Sequence, residues 1–553
     1  MRFRSLLVTF IFVVLFSSIS ITVLQTESRG YHDGEYIFNG LLYLEQGLAF
    51  NPAGYGLLGP VLAALPAHFL GAEYPPPEEI YSPKDFGLTE FLYYGSNDAE
   101  LLAFSAKMVI LFFALLLGIF VFIWAKELFG FWGGTFALTL YTFFPTVLGQ
   151  AGLLNFDIML SCFVFITLYF WWKFSIKQKG LYLLLTGIFL GLSVITKIQA
   201  LLLLPILLAT GILAVAYKRY SFTFFLRCFL LILGIALLIF CLFYARDFHP
   251  IYYSDDPLYQ GDDFTRSSER LPVLLDTFFG DLELVKPIAE FIVTKVSIPG
   301  AHVFQGFATM TLYSGTDIEN PLFGGYDTGA KWESYLFAFF VKNPIPFLLF
   351  FFSALFLIAY RKRTDLYDKF YLLIPAFFFL AIFMHGTFYG GNRYLLPIYP
   401  FLFVFSSSLI LLRKRIITAC ILLLLIWYVL SAVLVYPEYI PYFNEFVGME
   451  DGYLYSVTDV DMYQDFKKLD LYVQNNNLTD FKMNVTAVSK NVYRFDLPYG
   501  ELLPGEETSG VIIINAFSLI GKDQNKSEDF AWLREYEPVD RIGYSLLVYN
   551  ITE

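Results

Sequence analysis

Charged residues are scarce in this chain. Asp, Glu, Lys and Arg make up 16% of its 553 residues, against about 25% in ordinary soluble domains. Apolar side chains take their place, at 57% of the sequence with a mean hydropathy of +0.59. This balance excludes an ordinary soluble protein and predicts one that crosses a membrane many times.

Cysteine is also scarce, and its four positions carry no pairing pattern. All four lie inside apolar runs, where a free cysteine behaves as a small hydrophobic residue. The sequence therefore indicates neither a disulfide framework nor a cysteine metal site. The sequence also lacks a P-loop and a glycine-rich dinucleotide turn, and we expect no nucleic-acid partner. The cysteines are Cys162, Cys228, Cys241 and Cys420.

Apolar runs of about 20 residues, long enough to cross a bilayer, recur along the first 436 residues. They predict a polytopic α-helical membrane protein of about eleven spans. The first run follows Arg2 and Arg4 and could be a signal peptide, but its length favours a span. The predicted spans are 5–24, 102–125, 131–149, 155–173, 180–196, 198–217, 223–245, 343–360, 370–386, 393–411 and 415–436.

Basic residues cluster in alternate loops, which predicts a cytoplasmic N-terminus and an outer C-terminus. Two large loops, 25–101 and 246–342, and the tail 437–553 then lie outside, in a plasma-membrane protein. We predict a transmembrane domain over 1–436 and a small extracytoplasmic α/β domain over 437–553. Four glycosylation sequons mildly support an outer tail; they begin at Asn477, Asn484, Asn525 and Asn550.

The tail shows both helical and strand patterns. "MYQDFKKLDLYVQ" has apolar residues at helical spacing. "VTAVS", "GVIIINA" and "GYSLLVYNI" are short runs rich in β-branched and aromatic residues, bounded by turn residues. We therefore predict one helix and three strands here.

Ionisable residues are costly inside a membrane, and here they gather at the predicted outer ends of spans. Each has a plainer alternative, because a cation at a span end commonly reaches the headgroups and an Asp can cap a helix. Asp33 and Glu35 would point the same way in an extended chain and apart in a helix. The others are Lys107, Asp157, Lys197, Lys342 and Arg393.

These groups suit one kind of chemistry. Outside the membrane there is no pool of nucleotide sugars, so a transferred sugar must arrive on a lipid carrier. Cations would bind the phosphate of a polyprenyl-phosphate-linked sugar, and a carboxylate would take the proton of the acceptor. We predict that Lys107, Lys197, Lys342 and Arg393 bind this donor phosphate.

Several stretches, in order along the chain, resemble the GT-C superfamily of membrane glycosyltransferases. The resemblance is to prokaryotic relatives of protein O-mannosyltransferases and of the aminoarabinose transferase that modifies lipid A. It is carried by "HDGEYIFNG", "FPTVLGQAGLLNFDIML", "GLSVITKIQA", "FVKNPIP", "GNRYLLP", "YPEYIPYFNEFVG", "VTDVDMYQDF" and "IGYSLLVYNI".

The resemblance implies roles for individual residues. The first-loop acid would be the catalytic base, which favours Asp33, although Gly34 separates Asp33 from Glu35 where the family has adjacent acids. Lys197, Lys342 and Arg393 would hold the lipid phosphate, and Asp157 would support the site. His302, in the second large loop, could contact phosphate or a metal, although a single loop histidine usually contacts neither. No cofactor is required by the sequence, and a divalent cation is left open.

The sequence therefore predicts a glycosyltransferase that moves one sugar from a polyprenyl-phosphate donor to a hydroxyl on a protein, a glycolipid or a surface polysaccharide. Two alternatives belong to other classes. A transporter or lipid flippase would carry ionisable groups near the bilayer midplane and two half-length repeats. A non-catalytic membrane scaffold would tolerate the loss of Asp33.

Overall fold

A computed structural model describes most of the chain: residues 2–49, 56–80, 86–88, 90–251, 285–304, 332–360, 366–385, 389–412, 414–484, 497–520 and 529–552. The strand predicted in "VTAVS" and the sequon at Asn525 lie outside these residues.

The described chain is mostly helical. Its helices are α1 (Arg2–Thr26), α2 (Asp33–Leu41), α3 (Leu58–Leu70), α4 (Ala99–Thr142), α5 (Pro145–Ala151), α6 (Asp157–Lys177), α7 (Gly180–Thr196), α8 (Leu203–Ala216), α9 (Phe222–Phe243), α10 (Lys286–Lys295), α11 (Glu333–Val341), α12 (Ile345–Phe356), α13 (Tyr367–His385), α14 (Tyr399–Ser406), α15 (Arg415–Val433), α16 (Gly452–Tyr455), α17 (Phe466–Asn475) and α18 (Ala516–Ile520).

Seven helical segments within the described ranges are long and apolar enough to cross a membrane, or eight if the bent pair α11 and α12 counts as one span. A polytopic helical membrane protein is thereby confirmed. The predicted number of about eleven spans and their orientation stay predictions. The seven segments coincide with α1, α4, α6, α8 with the turn before it, α9, α13 and α15.

Helix α4 has 44 residues and would extend about 66 Å if straight, roughly twice the thickness of the hydrocarbon layer. It is interrupted at Gly130, whose φ of 80° and ψ of −177° are not helical. A positive φ costs glycine little because it has no Cβ. The break falls between the predicted spans 102–125 and 131–149. The second of these spans is divided in the structure, because α4 ends at Thr142 and α5 begins at Pro145.

Contacts within the chain divide it into two compact units. One comprises residues 1–31, 110–165 and 317–553, and the other comprises 32–109 and 166–316. The boundary predicted between 436 and 437 stays a prediction.

In the first unit, α11 and α12 meet at an angle of 112°. A helix end leaves backbone carbonyls without intrahelical partners. Asn444 satisfies them here: its Nδ2 donates to the carbonyl oxygens of Phe340 (2.7 Å) and Asn343 (2.8 Å), and its backbone N–H donates to Val341 (2.8 Å). The first residues of the tail therefore cap the corner of this bent pair.

The C-terminal region contains a five-stranded mixed sheet in the order β4-β3-β5-β7-β6. β3 runs parallel to both β4 and β5, whereas β7 is antiparallel to β5 and β6. Strands β5 and β7 confirm two of the predicted strands. The strands are β3 (Lys482–Met483), β4 (Gly500–Glu501), β5 (Gly510–Asn515), β6 (Asp540–Ile542) and β7 (Leu546–Ile551); a separate pair joins β1 (Phe248–Pro250) and β2 (Ser297–Pro299).

Both faces of this sheet are buried, which explains the unbroken apolar run in β5. Successive strand residues point to opposite faces, so Ile512 and Ile514 join one core cluster and Ile513 joins the other. The second cluster also contains Phe466 and Leu469 of α17, which confirms the helix predicted from the spacing of apolar residues.

Asp465 links α17 to the turn before β7. Its Oδ2 accepts from the backbone N–H groups of Tyr544 and Ser545 and from the Ser545 hydroxyl, and its Oδ1 pairs with Lys468 Nζ at 2.6 Å. Lys468 also pairs with Glu438. Burial alone would lower the pKa of Lys468, but these two carboxylates raise it above its usual value.

We expect Asp465→Asn to lower the free energy of unfolding by about 2–4 kcal/mol, because it removes a buried charge that is paired and hydrogen-bonded. Thermal unfolding of the purified chain in detergent would measure this. Asp480→Asn is the matched control, since Asp480 is exposed. Equal melting temperatures for the two variants would contradict the assigned role of Asp465.

Candidate functional site

In the second unit, Asp33 and Glu35 occupy the first turn of α2, and both are buried. Carboxylates are favourable there because the N-terminal end of a helix carries partial positive charge. Each residue of a helix is rotated by about 100° from the one before it, so side chains two positions apart point about 200° away from each other. The helix therefore directs the two acids to different partners, the outcome expected for a helical segment.

Asp33 forms an ion pair with Lys107, with 3.3 Å between Oδ2 and Nζ. Both side chains are nearly inaccessible to water, at 2% and 4% exposure. Glu35 instead contacts His32, whose Nδ1 lies 2.6 Å from Oε2 and whose side chain is 42% exposed. The structure thus brings Asp33 and Lys107 together and gives Glu35 a partner that water reaches.

Gly34 has a packing explanation. A Cβ added to it would lie 2.4 Å from the carbonyl oxygen of Gly87 and 3.2 Å from Leu92. The chain at 86–88 therefore packs so closely on α2 that no side chain fits between the two acids. This contact accounts for the glycine at position 34.

Lys197 and Asp157 both lie at helix ends and both are buried. Lys197 directly follows α7, and its backbone N–H donates to Ser193 at 3.1 Å. Asp157 is the first residue of α6, and its backbone N–H donates to Asn155 Oδ1 at 3.3 Å. Asn155 thus supplies a side-chain cap for α6.

In the first unit, Lys342 and Arg393 line one open cavity. Its volume is about 340 Å³ when the solvent at its mouth is counted. The sequence predicted both as phosphate ligands, and the structure brings these two together. The lining residues are Thr146, Gly149, Gln150, Lys342, Gly391, Asn392, Arg393, Tyr439, Ile440, Thr458, Asp459 and Met462.

The Lys342 ammonium is buried at the corner between α11 and α12. Nζ donates to the carbonyl oxygens of Ile440 and Asp459, each at 3.0 Å, and lies 4.3 Å from the centre of the Phe443 ring. Arg393 Nε donates to the Gly390 carbonyl oxygen at 2.9 Å. Two donors of Lys342 are thus used on the tail, while its charge remains at the cavity wall.

Asp459 is a cavity residue that we did not predict as part of the site. Its Oδ1 accepts the backbone N–H of Asn392 at 2.6 Å, and its Oδ2 accepts the hydroxyls of Tyr389 and Ser456. Asn392 also donates to Thr146 at 2.8 Å. The Asp-x-Asp segment in "VTDVDMYQDF" drew attention to this acid, but a local segment does not reveal which distant residues Asp459 contacts.

His302 belongs to a buried cluster in the second unit. Its Nδ1 contacts Asp247 Oδ2, and Nε2 of His249 lies 2.8 Å from Asp247 Oδ1. Burial raises the pKa of Asp247, but its contacts with His249 and His302 outweigh burial, so the pKa is lowered below 3.8. This ionised carboxylate orients His302, whose role in the site stays a prediction.

Within the described ranges, no group of three or more His, Cys, Asp or Glu residues could hold a metal ion. A divalent cation remains open for the chain as a whole.

The sequence of residues 99–244 matches the family model described as dolichyl-phosphate-mannose-protein mannosyltransferase. The predicted resemblance to protein O-mannosyltransferases is confirmed over this segment. It contains Lys107, Asp157 and Lys197. No curated protein sequence matches the chain.

Two solved structures illustrate what this chain is similar to. The archaeal oligosaccharyltransferase AglB from Archaeoglobus fulgidus, in complex with an inhibitory peptide and a dolichol-phosphate, matches with a TM-score of 0.47 and 14% identity over 78% of this chain. This chain spans 56% of that protein's length. ArnT from Cupriavidus metallidurans, bound to undecaprenyl phosphate, matches with a TM-score of 0.46 and 11% identity over 97% of both chains.

We expect Gly34→Ala to destabilise the chain by roughly 1–3 kcal/mol, because the new methyl group must push residues 86–88 away from α2. Thermal unfolding in detergent is the measurement. Gly180→Ala is the control, since a Cβ there meets nothing within 4 Å. If both variants unfold at the same temperature, the contact at Gly34 is not tight.

The Asp247 cluster predicts a pH dependence. A folded-state pKa below the unfolded value means that Asp247 stabilises the fold above pH 3.8 and that this contribution disappears as the pH falls further. At pH 7 we expect Asp247→Asn to unfold at a lower temperature than the wild type, with the difference shrinking below pH 3.8.

The control is Glu290→Gln, on the exposed face of α10, which we expect to match the wild type at both pH values. A constant difference between Asp247→Asn and the wild type across this range would show that the charge of Asp247 contributes nothing.

Proposed function

We propose that this chain is an integral membrane glycosyltransferase that transfers one sugar from a polyprenyl-phosphate-linked donor to a hydroxyl acceptor. The family-model match over residues 99–244 carries the proposal. The buried pair of Asp33 and Lys107 supports it, because it supplies a carboxylate of the kind that the reaction needs. Protein, glycolipid and surface polysaccharide are the acceptor classes.

In the proposed mechanism Asp33 accepts the proton of the acceptor hydroxyl. The hydroxyl oxygen attacks the anomeric carbon with inversion, and the bond from that carbon to the phosphate oxygen breaks with its electron pair leaving on the phosphate. Lipid phosphate is a good leaving group, so one base suffices, whereas glycoside hydrolysis needs two carboxylates.

We assign binding of the donor phosphate to the cations predicted for it. Lys342 and Arg393 contribute two positive charges to the cavity of the first unit. Lys107 and Lys197 belong to the second unit, where Lys107 also balances the charge of Asp33. Asp157 and His302 are assigned supporting roles. Positive charge beside the phosphate stabilises the negative charge that develops on it as it departs.

We further propose that the reaction takes place on the outer face of the plasma membrane. Basic residues at alternate span ends support an inner N-terminus, and the acidic composition of the long loops and of the tail agrees with an outer location. The tail then belongs to the outer side and is the proposed place of acceptor selection.

We expect Asp33→Asn to reduce sugar transfer by at least about 100-fold, the lower end of the effect of a general base. Glu35→Gln should cost less than about tenfold, because its exposed partner His32 contributes a weak contact. The assay is transfer from labelled polyprenyl-phosphate sugars to endogenous acceptors in membranes, normalised to the amount of folded protein.

Glu290→Gln, on the exposed face of α10, serves as the control and should transfer as the wild type does. Full transfer by Asp33→Asn would remove Asp33 as the base. If the wild type transfers no sugar from any donor offered, the transporter and scaffold interpretations replace the enzyme.

A further inference from the structure

The cavity of the first unit carries an unbalanced set of charges. Among its lining residues Lys342 and Arg393 are cations and Asp459 is the one acid, and the others are neutral. The net charge of the lining is therefore +1. A cavity that only had to attract phosphate would bind more strongly without a carboxylate, so Asp459 calls for an explanation.

The charge of Asp459 is held in place on every side. One backbone N–H and two hydroxyls donate to its carboxylate. Lys342 Nζ donates to the backbone carbonyl oxygen of Asp459. The side chain is buried. Each of these contacts is a hydrogen bond that the carboxylate accepts, and charge in a buried setting is weakly screened.

The proposed transfer changes the charge of the lipid. The donor is a phosphate diester with one negative charge. When the bond to the anomeric carbon breaks, the product is a phosphate monoester, which carries close to two negative charges at pH 7 because its second pKa is about 6. The acceptor proton leaves on the base, so the extra charge stays with the lipid.

We propose that Asp459 shifts the selectivity of this cavity away from the doubly charged phosphomonoester and towards the singly charged phosphodiester. The spent lipid phosphate is then held less tightly than the two cations alone would hold it. This inference rests on the proposed function, in which the cavity binds the lipid phosphate. Asp459 acts on the ligand through its charge. It lies in the tail, which supplies part of the cavity wall.

The test compares two ligands that differ mainly in charge: a polyprenyl phosphate and its methyl ester. Binding of each to the full-length chain in detergent is measured by competition at low salt. The ratio of the two dissociation constants for the wild type at pH 7 is the reference. In Asp459→Asn the ratio of the two dissociation constants should move by about tenfold in favour of the monoester, because one repelling charge is gone.

Repeating the measurement at pH 5 isolates the charge effect. Most of the monoester is then singly protonated, so the two ligands carry almost equal charge. The difference in ratio between the wild type and Asp459→Asn should largely disappear. Loss of a merely structural contact would weaken both ligands at both pH values and leave the ratio unchanged.

Two further variants keep the test decisive if Asp459→Asn does not fold. Ser456→Ala removes one hydrogen bond to the carboxylate but keeps its charge, so its ratio should equal that of the wild type. Arg393→Gln removes a positive charge and should move the ratio in the opposite direction, against the monoester.

The outcomes separate this inference from the proposed function. If the wild type binds neither ligand, the cavity is not a lipid-phosphate site and both are overturned. If it binds both, but neither Asp459→Asn nor Arg393→Gln changes the ratio, the phosphate role stands and the selectivity assigned to Asp459 is wrong.

Discussion

The buried ammonium of Lys342 is the contact on which the corner between α11 and α12 depends. A cation taken out of water must recover its lost hydration from the protein, and here it does so from two tail carbonyls and an aromatic ring. The same corner leaves helix-end carbonyls that Asn444 satisfies. The first tail residues are therefore part of the helical structure, because without them the corner would bury an unpaired charge and unpaired backbone groups.

This constraint also explains where the ionisable residues lie. Asp33 and Asp157 each begin a helix, Lys197 follows one, and Lys342 lies in the break between two. Helix ends need polar partners for their backbone groups, and charges are least costly away from the middle of a span. The same positions therefore supply polar partners for helix ends and charges that could take part in chemistry. A charge at the end of an apolar run indicates a candidate site residue but does not by itself define a site.

Local pattern predicted much of the fold. Spacing of apolar residues predicted α17, and β-branched runs predicted β5 and β7, because burial imposes those periods directly. The same approach named Lys342 and Arg393, which line one cavity, and Asp33 with Lys107, which form an ion pair. It did not predict Asp459, whose partner Tyr389 is 70 positions away, or the contact of Asp247 with His302, 55 positions apart. Such contacts are created by the tertiary fold, and the spacing of residues along the sequence does not predict them.

The ion pair of Asp33 with Lys107 constrains how a proton could be taken. A carboxylate held by an ammonium is too weak a base to deprotonate an alcohol before the reaction begins. The hydroxyl becomes acidic only as its oxygen forms a bond to the anomeric carbon and gains positive charge. In the proposed mechanism, proton transfer to Asp33 therefore accompanies bond formation, and Lys107 stays paired with the carboxylate until that moment. Glu35 is also buried, but its partner is the half-exposed His32 and not an ammonium group.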